Sequence, residues 1–142
     1  MEFLVNLITL TLFIGLLTNP ILLLRFINRT NIKHKFISYL TAGVLLTAIL
    51  VFVFAWWAYK SDLILLEYYG YDKDGMNEQE FYGKVLPENM DKVKSLETSI
   101  MGIGWPLKAI LTFIFYAPYL LIIYGATYFI GRKTRKAHLQ QL

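Results

Sequence analysis

The side chains best able to do chemistry in this chain are crowded into one stretch, where Glu67, Asp72, Asp74, Glu78 and Glu80 fall within fourteen residues. Carboxylates at such density suggest a cation site, and the tract Asp72-Lys73-Asp74-Gly75 invites comparison with a calcium loop. A calcium loop needs its glycine at the sixth position, with carboxylates at the first and twelfth. Setting Gly75 at the sixth position puts Gly70 at the first and Phe81 at the last, so both carboxylates are missing. The tract reads instead as a solvated turn, because Asp side chains bond nearby backbone and glycine accepts positive φ.

Other chemistries fail on composition. The chain has no cysteine, so it can build no disulfide, iron–sulfur cluster or thiolate zinc site. His34 and His138, its two histidines, both lie in basic segments, apart from the acids, and form no two-histidine metal site. No nucleophile–base pair or glycine-rich phosphate loop is visible. The expectation is a non-enzymatic protein with no catalytic residue, metal or cofactor, and with no nucleic-acid partner.

What positions the acidic stretch is a frame of three charge-free segments. Residues 3–24, 36–59 and 109–130 contain no Asp, Glu, Lys, Arg or His. Each is long enough to cross a hydrocarbon core about 30 Å thick at 1.5 Å per helical residue. With a hydrophobic fraction of 56% gathered into these blocks, the chain reads as an all-α membrane protein. Three transmembrane helices are expected, with a helical extracytoplasmic segment between the second and third. The first segment lacks the basic n-region and small-residue cleavage site of a signal peptide, so it is expected to be a retained helix, with a kink at Pro20.

Charge sets the orientation. Residues 25–35 carry Arg25, Arg29, Lys33 and Lys35 with no acid, and the tail carries Arg132, Lys133, Arg135 and Lys136 with none. Residues 60–103 carry nine acids against five lysines. Short basic segments beside helix ends stay cytoplasmic. The expected division is therefore residues 1–27 as the first span with the N-terminus out, 28–35 as a basic cytoplasmic connector, 36–59 as the second span, 60–106 as an acidic outer loop, 107–130 as the third span and 131–142 as a cytoplasmic tail. The expected location is a bacterial inner membrane. The basic tail could also attract nucleic acid or acidic lipid, but four cations without interleaved aromatics are what orientation alone requires. Trp56, Trp57 and Trp105 all fall at the expected outer interface, where amphipathic rings are favoured.

Within the outer loop, Asn77 and Glu80 have capping-box spacing and start a short helix through about Lys84. Pro87 suits the first turn of a longer amphipathic helix, with Met90, Val93, Leu96, Ile100 and Ile103 on one face opposite Glu88, Asp91, Lys92, Lys94 and Glu97. A loop this short rarely stabilises itself. Its apolar residues Tyr68, Tyr69, Tyr71, Met90, Val93, Leu96 and Ile100 are expected to rest on the lipid bilayer, to cap the chain's own bundle, or to receive a membrane-protein partner or a second copy. Gly15, Asn19, Gly43, Thr47, Tyr116 and Tyr119 are expected to pack helices together, small residues allowing close approach. Absence of mid-membrane charge argues against transport and proton chemistry. The function expected is an accessory or assembly subunit of a larger membrane complex. The alternatives are an immunity or exclusion protein acting against an incoming toxin or DNA and, third, an oligomeric pore or carrier.

Overall fold

A computed structural model describes the backbone of residues 1–30 and 32–139 and the side chains of residues 1–30 and 32–129. Five α-helices follow one another: α1 (Glu2–Arg29), α2 (Lys35–Tyr68), α3 (Glu78–Tyr82), α4 (Met90–Met101) and α5 (Trp105–Leu139). A 3-10 turn at Pro87–Asn89 leads into α4, so Pro87 opens that turn rather than the α-helix itself. Three of the helices, α1, α2 and α5, are long and apolar enough to cross a membrane, and the chain is a multi-pass all-α membrane protein.

The second helix is the spine. Its 34 residues give it a length of about 51 Å, well beyond a hydrocarbon core of about 30 Å. It therefore runs through the tryptophans and Lys60 to Tyr68, nine residues past the end of its charge-free stretch. It then stops cleanly. Gly70 takes a φ of 85°, while the Gly70 and Tyr71 N–H groups donate to the carbonyls of Glu67 and Leu66 at 3.1 and 3.0 Å. These paired bonds form a Schellman closure, which needs a residue in the left-handed region. A Cβ on Gly70 would also come within 2.6 Å of the Lys84 carbonyl oxygen, so two constraints call for glycine there.

Around this spine α1 and α2 lie antiparallel. Trp57 Nε1 donates to Thr9 Oγ1 at 3.0 Å, Gly43 faces Leu23, and Tyr39 packs with Leu24 and Ile27. Helix α5 closes the far side, with Ala109, Tyr116 and Leu120 joining Leu16, Val51 and Ala55 in one cluster. Both internal prolines, Pro20 and Pro118, sit within continuous helix. The backbone of α5 stays helical to Leu139, past the expected end of the third span. The side chains of the expected tail, Arg132, Lys133, Arg135 and Lys136 included, lie outside the described residues.

Candidate functional site

Every polar link joining α4 and the residue 70–86 loop to the three spans gathers at one end of the bundle, which makes that end the candidate site. Asn77 caps α3: the Glu80 N–H donates to Asn77 Oδ1 at 2.9 Å, and the Glu80 carboxylate accepts from the Met76 N–H at 2.8 Å. This is a capping box shifted by one residue, since its return bond goes to Met76 rather than to Asn77. The Asp72 N–H then pairs with the Phe81 carbonyl at 3.0 Å and folds the loop back.

The loop and α4 close on the extended part of α2. Leu66, Tyr69, Val85 and Val93 form a buried cluster, with Leu65, Tyr71, Tyr82, Met90, Leu96 and Ile100 packed around it. Of the residues expected to receive a partner, Val93 is fully buried, Tyr69 is nearly so, and Tyr71, Met90, Leu96 and Ile100 are half-buried within the chain. That face is spent on the protein's own cap. Of the uses expected for these residues, the structure shows the cap on the chain's own bundle, and Tyr68, 58% exposed, is the member left most open.

Three carboxylates wire the cap. Glu97 accepts hydroxyl bonds from Tyr71, at 2.9 Å, and from Tyr82. Sequence patterning placed Glu97 opposite the apolar face. At 100° per residue, however, it falls between Val93 and Met90, which is why it turns inward to the tyrosines. Both tyrosine hydroxyls are pushed up to about 12, Tyr71 chiefly by burial and then by Glu97, and Tyr82 chiefly by its hydrogen bond to Glu97. Glu2, at the start of α1, accepts from the Tyr69 hydroxyl and pairs with Lys92 Nζ at 3.0 Å. Lys92 also lies over the Tyr69 ring, 5.5 Å from its centre. Asp62 accepts from Ser99 Oγ at 2.8 Å, and Lys108 Nζ donates to the Ser99 carbonyl at 2.8 Å. Lys108, from the first turn of α5, thus satisfies an orphan carbonyl in the last turn of α4, where a cation also suits the helix dipole.

Above this wiring are shallow grooves. One, of about 530 Å³, is lined by Glu2, Tyr68, Tyr69, Gly70, Lys84, Leu86, Glu88 and Asn89. Another, of about 260 Å³, has Glu67, Asp72, Lys73, Asp74 and Lys84 on its walls. Among the described residues no three His, Asp or Glu side chains are placed to hold a metal ion. Asp72 is bonded instead to the Asp74 N–H and to Lys84, as a turn requires.

Of the expected packing residues, Gly43 sits where a Cβ would come 3.5 Å from Leu23 and 3.7 Å from Leu120, and Thr47 is fully buried with Asn19 Nδ2 3.5 Å from its hydroxyl. At Gly15 a Cβ would meet nothing within 4 Å, so it is no point of close approach within the chain. Tyr116 donates to the Leu16 carbonyl, and Tyr119 to that of Leu17 at 3.0 Å. The Leu16 carbonyl is the one freed by Pro20, which has no N–H to offer it. Sequence reasoning missed Tyr39, whose hydroxyl donates to the Leu120 carbonyl at 3.0 Å, and missed Glu2 altogether. The chain matches no protein-family model, no curated relative and no solved structure.

Proposed function

We propose that the chain is a small non-enzymatic integral membrane protein that works by docking, as an accessory or assembly subunit of a larger membrane complex. In this reading the acidic cap faces outward, both basic segments face the cytoplasm, and the membrane is a bacterial inner membrane. The charge asymmetry of short segments beside helix ends supports that placement. The observation that carries the docking role is the groove at the crown of the cap. Tyr68 and Leu86 are each more than half exposed there, beside a cap core in which Leu66, Tyr69, Val85 and Val93 are buried. Exposed apolar residues rimmed by polar ones outside the bilayer mark interaction surfaces. The rim holds Glu88 and Lys84 beside Glu2, which is already paired with Lys92, and the segment of residues 60–103 has four more acids than lysines. The fitting partner is the outer segment of a membrane protein that offers an apolar residue beside a cation placed for Glu88.

Purification in mild detergent at native abundance, followed by mass spectrometry, tests the reading. A stoichiometric membrane protein should copurify and should be lost from a Tyr68→Ala/Leu86→Ala variant that retains wild-type helicity. Elution of the wild-type chain alone would defeat the proposal.

A further inference from the structure

The end of the bundle away from the cap carries charge that this chain cannot neutralise. Arg25 and Arg29 lie one turn apart on α1, both exposed, and Lys33 and Lys35 follow across the connector. Lys35 Nζ reaches back to within 3.5 Å of the Asn28 carbonyl, which brings the start of α2 to the last turn of α1, the turn that ends in Arg29. All ten acids of the chain are Glu2 and residues 62–97, so none lies in residues 3–61 or 98–142. The ion pairs among the described residues, Lys84–Asp72 and Lys92–Glu2, are both in the cap. Exposed Phe26 and Phe36 flank the cations with apolar surface.

From this arrangement we infer that Arg25, Arg29 and Lys35 form a site for an anionic phospholipid of the adjacent leaflet. Its phosphate lies among the cations, and its acyl chains run along Phe26 and Phe36. Two arginines one helical turn apart can each offer paired donors to phosphate oxygens, and the third cation adds attraction without geometric demand. A headgroup of net negative charge is selected over a zwitterionic one because each cation near an anionic surface contributes favourably. The site does not depend on which side of the membrane the cap occupies.

Native mass spectrometry of the full chain released from nanodiscs of equal parts phosphatidylcholine and phosphatidylglycerol tests the inference. The wild type should retain phosphatidylglycerol in preference to phosphatidylcholine. The Arg25→Gln/Arg29→Gln/Lys35→Gln variant should lose that preference by about fivefold for each cation removed. Arg25→Lys/Arg29→Lys should keep most of it, and Lys73→Gln/Lys94→Gln in the cap should change nothing. Equal retention of the two lipids by the wild type, or undiminished preference in the triple glutamine variant, would overturn the site. Displacement of the lipid by millimolar glycerol phosphate would overturn it also, since it would reveal binding of the free anion rather than of a lipid.

Discussion

At the scale of single residues, the protein is held by tyrosine hydroxyls that answer particular backbone and carboxylate oxygens. Tyr116 satisfies the Leu16 carbonyl because Pro20 cannot, and within a bilayer no water is present to take its place. Tyr116→Phe should therefore destabilise the bundle by about 1 kcal/mol, the size of a membrane-buried hydrogen bond. Pro20→Ala restores an N–H at position 20, so Tyr116→Phe should cost less in that background. Thermal melting of the four proteins in one detergent gives the cycle, and an equal cost in both backgrounds would break the proposed link. In the cap, Tyr71 and Tyr82 each ionise at about 12, against 10.0 for a free tyrosine. Because the folded state favours the neutral hydroxyl, this contribution to stability is complete below pH 10 and is lost as pH rises toward 12. Glu97→Gln removes the anion that faces both hydroxyls and should move their titration back toward pH 10. The readout is tyrosinate absorbance, taken as the difference from a Tyr71→Phe/Tyr82→Phe variant.

At the scale of elements, α2 does two jobs along one continuous helix: its first two-thirds pack against α1 and α5, and its last turns receive α4. Val93 fills the centre of that second contact. Val93→Ala should cost about 2 kcal/mol of local stability. The loss should appear as faster proteolysis between residues 72 and 104, with the helicity of the three spans unchanged, because regions open in units. The spans were legible in the sequence because an apolar run of about twenty residues without a charge is rare in any helix that does not cross a bilayer. The shifted cap at Asn77 was nearly as legible, because it is local. The wiring between helices was not. Whether Tyr39 meets Leu120, or Glu2 meets Tyr69, depends on the relative depth of separate helices, and no spacing within one helix encodes it. Gly15 shows the same limit: a small residue in a span suggests close packing, yet its face is open within the chain. The Met90, Val93, Leu96 and Ile100 face was recognised as apolar, with the chain's own bundle among its expected neighbours. That it packs on the last turns of α2, around Leu65, Leu66 and Tyr69, became visible only with the fold.

At the scale of the molecule, charge is distributed as sharply as apolar surface. Every acid is at the cap end, and the connector at the other end is purely basic. The cap is not loosely tethered: Glu2 ties it to α1, the Schellman closure at Gly70 ties it to α2, and Lys108 ties it to α5. All three spans therefore present it as one piece, which suits a docking platform better than a mobile lid. Docking at the crown groove requires that this end face outward and that the connector face the cytoplasm. The chain has no cysteine, so single-cysteine variants report on that placement without background. Met76 is 93% exposed in the cap, and Thr30 is exposed at the start of the connector. In intact cells a membrane-impermeant maleimide should label Met76→Cys at once and Thr30→Cys only after permeabilisation; labelling of Thr30→Cys in intact cells with protection of Met76→Cys would contradict the account.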